Sequence, residues 1–388
     1  MSPVASSAEW LQFSTSNVLL FSIGMVSSYA AYQLYFRPFF FSPLRHVPGP
    51  PLGHPIFGQS PTIINSESGI PQREWAKKYG PIPEPLHKLL VKDWLDYPRP
   101  GFLRKILGLV TGHGLLTVTG EDHKQMRKAM NPAFSIPNLT AQTYMYYDPI
   151  QGLLEVIANK LGEKSNDGQV IPVYEMMSKV TLDIICETAF GYRTDSIHNP
   201  HNELAEAYES LVNLQSGPNI AKLILAMSVP GVSTFLLSDF GYKYRNIFQV
   251  TRLTSEIATV LGAMHTIKRI SRTMLSEKVH EALESGVTGA DSELHGKKDI
   301  MSILVRARTS ESEGQYKMSD EAMVDQVLTF LGAGHETTAS GLAWTLWLLA
   351  KHPASQDKLR AEVGPVFAQD NRPDYKTLKD LKWLDCVV

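Results

Sequence analysis

An acid and a hydroxyl interrupt the most apolar segment of this 388-residue chain. The stretch "FLGAGHETTAS", residues 330–340, contains Glu336 and Thr337 directly after two glycines and a histidine. Thr337 can return its hydroxyl to the carbonyl of Ala333, four residues earlier, which weakens the helical ladder and opens a polar notch. An acid beside a hydroxyl in such a notch is suited to moving protons. The spacing therefore predicts a proton-delivery site inside a helix.

The glycines of this stretch need a structural reason. A glycine within a helix costs about 1 kcal/mol relative to alanine. One interpretation is that a flat ligand lies against the backbone at Gly332, Ala333 and Gly334. The other is a tight crossing of two helices at the glycines, with Glu336 in solvent. The apolar residues around the motif favour a buried Glu336, which a protein interior holds only for a reason.

The helix that carries the motif has clear ends. Ser319 is a good N-cap, and Asp320 and Glu321 suit the positive first turn. The sequence "KHP" at 351–353 stops the helix. The pattern predicts a helix over 320–350, about 46 Å long at 1.5 Å per residue. Because "GLAWTLWLLA" is apolar on nearly every side, we expect this helix to run through the middle of the protein.

The rest of the chain is also predicted to be mainly α. Long segments with helical apolar spacing alternate with short polar loops from about residue 120 onward, and strand-like alternation is scarce. The predicted helices are 121–130, 142–162, 174–189, 202–215, 242–285 in pieces, 298–308, 320–350 and 354–367.

Composition limits the possible functions. The formal net charge is −2, so the chain has no overall attraction to nucleic acid. Cys186 and Cys386 lie far apart and form neither a disulfide framework nor a CxxC metal pair. This cysteine usage fits a reducing compartment such as the cytosol.

The N-terminus is predicted to anchor the chain in a membrane. No charged residue occurs between Glu9 and Arg37, and residues 17–36 form an apolar run of about the length a bilayer requires. A cleaved signal peptide needs a basic start, whereas the first ten residues contain no lysine or arginine. We therefore expect an uncleaved anchor over 1–45, with its following side in the cytosol. The Pro-rich stretch 46–58 would be a stiff linker.

Two motifs together resemble a known family. "AGHETT" resembles the oxygen-activation motif of the central helix of cytochrome P450 haem-thiolate monooxygenases. "GEDHKQMRKAMNPAF", residues 120–134, is similar to the helix by which that family holds its haem propionates. The resemblance implies a cytochrome P450-like helical fold over 59–388. It implies these site residues: Glu336 and Thr337 as catalytic residues, and His123, Arg127, Ala333, Gly334 and Thr337 as haem contacts.

The resemblance also implies a cofactor, partners and a location. They are heme b, an NADPH-cytochrome reductase, an apolar small-molecule substrate and the endoplasmic reticulum membrane. The reductase would meet the basic face formed by Lys124, Arg127 and Lys128, since such partners dock through acidic contacts.

The sequence departs from the family pattern in two places. The family's cysteine loop, Phe-x-x-Gly-x-Arg-x-Cys-x-Gly, is not found, and neither is its Glu-x-x-Arg pair. Cys186 has a core position in a helix and Cys386 has no Gly-rich turn, so neither fits the iron ligand. No strand pattern follows "WAKKYGPI" at the Ile82–Pro83 junction. The resulting alternative to an enzyme is a catalytically dead, truncated, membrane-anchored fragment with an incomplete fold and no metal ligand.

Overall fold

The computed structural model describes two compact units, Met1–Trp94 and Leu95–Val388. In the first unit it describes residues 21–22, 24–25, 27–29, 31–41, 50–51, 53–54, 58–66 and 70–79. In the second it describes 101–162, 169–213, 231, 234–235, 238–250, 255–284, 300–309 and 318–388. The predicted break at Ile82–Pro83 and most of the predicted linker lie outside the described residues.

The first unit is helical where it is described. A helix includes residues 21 to 41 apart from three undescribed positions, and its last part, Tyr32–Phe41, has π-helical hydrogen bonding. Two α-helices follow, α1 at Ser60–Asn65 and α2 at Ile70–Tyr79. Within the described part of the chain, no helix combines the length and apolarity needed to cross a membrane. These residues therefore do not support the spanning helix predicted for 17–36, and residues 17–20 lie outside them.

The second unit confirms the mainly helical prediction. Across both units, the described residues form no β-sheet, and their one bridge pairs His54 with Gly58. The α-helices of the second unit are α3 Gly101–Thr111, α4 Gly120–Met130, α5 Ile136–Gln142, α6 Tyr147–Gly162, α7 Val173–Phe190, α8 Glu203–Asn213, α9 Asp239–Lys243, α10 Ser255–Glu284, α11 Ile300–Thr309, α12 Asp320–Lys351, α13 Pro353–Gln369, α14 Tyr375–Lys379 and α15 Lys382–Val387. Short 3-10 turns at Asn131–Phe134, Thr143–Tyr146 and Arg245–Val250 join or precede some of them.

The long helix α12 begins where the sequence predicts. The Ser319 hydroxyl accepts a hydrogen bond from the backbone N–H of Ala322 at 3.2 Å, which satisfies one of the free donors of the first turn. Its first half packs against α7, α10 and α3. The side chains of Met323, Val327 and Leu331 are completely buried there, at spacings of four that place them on one face.

The second half of α12 differs from the prediction. Burial ends at Ala339, and the apolar side chains beyond it reach solvent. Trp344 is 60% exposed and Trp347 is 48% exposed. The sequence alone suggested burial because the segment is apolar on nearly every side. In the described structure the neighbouring helices cover mainly the first half of α12.

Candidate active site

The site forms where α7 crosses α12. Four residues of α7, spaced by four, three and four, share one helical face and meet the motif of α12: Tyr174, Ser178, Thr181 and Ile185. The Thr181 hydroxyl donates to the backbone carbonyl of His335 at 3.1 Å, so the two backbones lie close together. A Cβ added to Gly334 would lie only 3.0 Å from Cγ1 of Ile185. The crossing therefore favours a residue without a side chain at this position, because a Cβ would force Ile185 to shift by a few tenths of an ångström.

This packing distinguishes the two interpretations of the glycines. Gly334 lies against α7, so a tight helix crossing accounts for the glycine at this position. The missing side chain leaves room for Ile185, and the predicted haem contact of Gly334 stays a prediction. Gly332 is less constrained, since an added Cβ would make an ordinary contact of 3.6 Å with Thr111.

Glu336 is held by side chains of α7. The Tyr174 hydroxyl donates to Oε2 of Glu336, and the Ser178 hydroxyl donates to Oε1 at 3.3 Å. Burial raises the pKa of Glu336, but the nearby His335 ring and the hydrogen bonds from Tyr174 and Ser178 outweigh it, and the pKa lies below the ordinary value. The carboxylate is thus partly buried and favoured in its ionised form.

His335 lies beside this acid and is completely buried. Its Nδ1 atom is 2.7 Å from the carbonyl oxygen of Leu331, one turn earlier. Its Nε2 atom is 3.2 Å from Oε1 of Glu336, but it makes no hydrogen bond of acceptable angle. The ring packs edge-on against Tyr208 of α8, with 4.4 Å between the ring centroids.

Thr337 makes the predicted hydrogen bond. Its hydroxyl donates to the carbonyl of Ala333 at 2.7 Å. Its side chain is exposed on the face of α12 that includes Ala333, Gly341 and Trp344, which we call the open face. These residues recur at spacings of three and four, so they lie along one side of the helix.

Glu336 and Thr337 do not face each other. Consecutive helical positions are about 100° apart around the axis. Glu336 is turned toward α7, whereas Thr337 is turned toward the open face. The structure therefore does not bring together the acid and the hydroxyl that the sequence places side by side.

His123 and Arg127 lie one turn apart on α4, as predicted. His123 is half-buried and Arg127 is exposed, and within the described residues no acidic side chain pairs with the Arg127 guanidinium. One side chain of this helix reaches α12, since Gln326 Nε2 is 2.9 Å from the sulfur of Met126. Just after α4, the Phe134 ring stands 5.7 Å from the ring of Phe330, one turn before Ala333.

A small cavity reaches Glu336 from the side of α7 and α8. Its volume is about 110 Å³. Exposed side chains of Glu175 and Glu209 lie at its edge, and Tyr208 and Glu336 contribute to its inner wall. The Tyr208 hydroxyl is buried and has no hydrogen-bond partner among the residues that the structure describes. The cavity has room for several water molecules, since one water needs roughly 10–15 Å³ of such volume.

The two cysteines occupy different environments. Cys186 is completely buried in α7, and burial together with the nearby Asp183 carboxylate raises the pKa of its thiol. Cys386 is exposed on α15. This helix contacts α13, where the indole N–H of Trp383 donates a hydrogen bond to the carbonyl of Ser355. The environment of Cys186 therefore disfavours a thiolate. Among the described residues, no group of three or more His, Cys, Asp or Glu side chains could hold a metal ion.

Sequence reasoning did not identify Tyr174, Ser178 or Tyr208 as parts of the site. They come from helices about 130 to 160 positions away in sequence, and a tyrosine or serine in an amphipathic helix carries no signal of its own. His335 belongs to the motif and was noticed in the sequence, but its contacts with Tyr208 and Glu336 could be seen only in the folded structure.

Comparison with known proteins agrees with the motifs. The family model described as "Cytochrome P450" matches residues 48–388. "Cytochrome P450 monooxygenase 205" of Postia placenta is 29% identical over 371 residues, which cover 89% of this chain and 64% of that protein. "Cytochrome P450 monooxygenase sphH" of Aspergillus fumigatus is 28% identical, with 94% of this chain and 66% of that protein covered. The chain thus spans about two thirds of the length of these curated relatives.

The solved structures agree on the fold. A crystal structure of the "cytochrome P450DA heme domain" superposes with a TM-score of 0.60 at 20% identity, covering 88% of this chain and 68% of that chain. At this identity the likeness concerns the fold alone. The family match extends over most of the sequence and includes both motifs. The chain belongs to the cytochrome P450 family, whose cofactor is haem.

Proposed function

We propose that the protein is a haem-dependent monooxygenase that inserts one oxygen atom of dioxygen into an apolar organic substrate. The observation that carries this proposal is the arrangement of α12. An ionised acid, Glu336, lies at a solvent-connected cavity, and the hydroxyl of Thr337 lies about 100° away on an open face. Proton delivery to bound dioxygen requires an acid, a hydroxyl and a route from solvent.

The residues of the open face fit a flat apolar group. Ala333, Thr337 and Gly341 are small, and an added Cβ on Gly341 would meet nothing within 4 Å. A haem bound there supplies the oxygen chemistry. Ala333 and Thr337 would hold its face, and His123 and Arg127 would bind its carboxylates, because arginine suits carboxylates in geometry and charge.

Glu336 and Thr337 would handle protons in succession. The Glu336 carboxylate takes up protons from the cavity side, where Tyr174 and Ser178 hold it. Thr337 is fixed by its bond to the Ala333 carbonyl, so its oxygen points along the open face as an acceptor. A rotation of the Glu336 side chain would be needed to pass the proton around the helix.

We propose that electrons come from an NADPH-cytochrome reductase that docks on α4. Lys124, Arg127 and Lys128 are all exposed on this short helix. Lys124 lies 3.5 Å from Glu121, and Arg127 is assigned to the haem carboxylates, so Lys128 is the residue most available to an acidic partner. Charge reversal at Lys128 should slow reduction more at low than at high ionic strength.

We further propose that the first unit attaches the protein to the endoplasmic reticulum membrane. Phe21, Met25, Tyr29 and Phe36 are all more than half exposed on the N-terminal helix. Aromatic and apolar side chains of this kind are typical of membrane interfaces. Flotation of the full chain with lipid vesicles, compared with a chain that starts at residue 46, tests the attachment.

A non-enzymatic protein is the second candidate, and the environment of Cys186 favours it. Cys186 is completely buried and the pKa of its thiol is raised, so it is poorly suited to bind iron as a thiolate. Such a protein would keep the helical fold and any membrane attachment without oxygen chemistry.

Haem binding to the purified full chain separates the two candidates. Absorption spectroscopy measures the haem bound per chain. The monooxygenase proposal expects stoichiometric haem binding, weakened by Arg127→Ala and unaffected by Thr338→Val. Absence of bound haem in the full chain would contradict the proposal for this chain and support the second candidate.

A further inference from the structure

The buried histidine next to the acid has a defined proton on one ring nitrogen. Nδ1 of His335 lies 2.7 Å from the carbonyl oxygen of Leu331. A carbonyl oxygen only accepts hydrogen bonds, so Nδ1 must carry the proton and donate it. The state of the other nitrogen, Nε2, then decides whether the ring is neutral or charged.

The surroundings of Nε2 argue for a second proton. Nε2 is buried and lies 3.2 Å from Oε1 of Glu336, with no hydrogen bond of acceptable angle. Without a proton, Nε2 would be a second acceptor 3.2 Å from a carboxylate oxygen, and two acceptors at that distance repel each other in a poorly polarisable interior. With a proton, the same contact becomes a charge-assisted interaction after a small rotation of either side chain.

The other groups around the acid do not supply a positive charge. From α7, Glu336 receives the neutral hydroxyls of Tyr174 and Ser178. From α8, the nearest titratable group is Tyr208, whose pKa is raised by burial and by the neighbouring Cys186 and Glu336. The remaining charged side chains that line the cavity are Glu175, Lys179 and Glu209. Among the described residues, no ion pair joins Lys179 to Glu336.

We propose that His335 and Glu336 hold one proton between Nε2 and Oε1, and that His335 is a positioning residue that keeps the acid charged and turned toward the cavity. Its value for catalysis rests on the proposed monooxygenase function. The existence of the shared proton does not, because it follows from the contacts of this chain alone. A sequence with another residue at this position would keep the acid but lose the buried cation.

The cavity gives the pair a source of protons. Glu336 lies in the wall of the 110 Å³ space, whereas His335 lies behind it against Tyr208. Water in this space can exchange protons with the carboxylate without entering from the open face. The pair therefore stands between a solvent route on one side of α12 and Thr337 on the other.

Nitrogen NMR of the full chain labelled with ¹⁵N-histidine tests the proposal without haem. The chain has 12 histidines, and the signals that disappear in His335→Phe belong to His335. His335→Gln provides the same assignment if the phenylalanine variant does not fold. We expect both ring nitrogens of His335 to carry protons near neutral pH. In Glu336→Gln we expect loss of the Nε2 proton and a neutral ring with only Nδ1 protonated.

Two results would overturn the proposal. One is a neutral His335 ring in the unmodified chain near neutral pH. The other is a doubly protonated ring that persists unchanged in Glu336→Gln, which would mean that the acid does not hold the second proton. Thr338→Val is the matched control, since its hydroxyl bonds only to the Gly334 carbonyl among the described contacts, and the His335 signals should stay in place.

Turnover measurements then separate positioning from structure. If the monooxygenase function holds, His335→Gln should shift the pH profile of kcat while KM changes less than kcat. An unshifted pH profile of kcat, with kcat and KM changed by the same factor, would contradict the positioning role. Expected NMR signals in a chain without turnover would contradict the monooxygenase function and leave the shared proton intact.

Discussion

At the scale of single residues, Glu336 is defined by its neighbours rather than by its place in the motif. Tyr174, Ser178 and His335 surround a carboxyl that burial alone would tend to neutralise. Tyr174 in turn has a raised pKa, because burial and its bond to Glu336 both disfavour the phenolate. The tyrosine therefore acts as a neutral donor to an ionised acid at all physiological pH values.

The Glu336→Gln substitution should make the free energy of unfolding less dependent on pH in the acidic range. The folded-state pKa of Glu336 lies below its ordinary value of 4.5, so the ionised carboxyl stabilises the fold above the unfolded pKa. That contribution is lost as the pH falls through the folded pKa. Near neutral pH we expect the variant to lose about 1–3 kcal/mol of unfolding free energy, typical of hydrogen bonds to a charged group.

Urea denaturation near neutral pH and below about pH 4 measures this difference. The difference in unfolding free energy between the unmodified chain and the variant should become smaller as the pH is lowered. Tyr174→Phe serves as the companion variant, since it removes one donor and keeps the charge. A difference that becomes larger in acid would show that the carboxyl is not stabilised in its ionised form.

At the scale of elements, the crossing of α7 and α12 explains one glycine and not another. Gly334 faces Ile185 at the contact, while Gly341 has open space around it on the same helix. Packing therefore explains the glycine at position 334 but not the glycine at position 341. This difference is visible only from the crossing of α7 and α12.

Gly334→Ala and Gly341→Ala should change stability in opposite directions. Alanine gains about 1 kcal/mol of helix propensity over glycine at both positions. At Gly334 the new methyl group would overlap Ile185, which costs about 1–3 kcal/mol when a packed core must adjust. Thermal unfolding of both variants tests this. Combination with Ile185→Ala should reduce the penalty at Gly334 and leave Gly341→Ala unaffected.

Ser319→Ala should destabilise α12 at its first turn. The lost hydrogen bond to the Ala322 N–H is worth about 1 kcal/mol for an N-cap of this kind. Ser319→Asp should retain most of the stability, because its carboxylate also accepts and suits the helix dipole. Equal losses in the two variants would mean that the cap does not operate.

At the scale of the whole molecule, burial is uneven. The first half of α12 belongs to a core that includes α7, α8 and α10, whereas the aromatic residues after Ala339 remain exposed. The two cysteines reflect the same contrast, since Cys186 lies within the core and Cys386 lies on an outer helix.

Thiol labelling should therefore detect one cysteine in the folded chain and two after unfolding. Cys386 is exposed and should react rapidly with a thiol-specific reagent. Cys186 is completely buried with a raised pKa, so its reaction should follow unfolding of the core. Cys386→Ser identifies the fast site. Rapid reaction of Cys186 under native conditions would contradict its placement in α7.

The sequence by itself determined the family, the mainly helical fold and the extent of α12. These follow from local signals, namely the "AGHETT" motif, the Ser319 cap and helical periodicity, which neighbours in space do not alter. The bond from Thr337 to the Ala333 carbonyl belongs to the same class, because both partners lie on one turn.

Only the tertiary structure decided how the acid is held and which side of α12 stays open. Glu336 binds α7 residues more than 150 positions away, Gly334 serves the crossing with Ile185, and the apolar second half of α12 is exposed. The apolar pattern indicates which surfaces of a helix favour burial. The arrangement of the neighbouring helices decides which of those surfaces are buried. The contacts of His335 likewise depend on that arrangement, since hydrogen bonds and charges act only between groups that packing brings together.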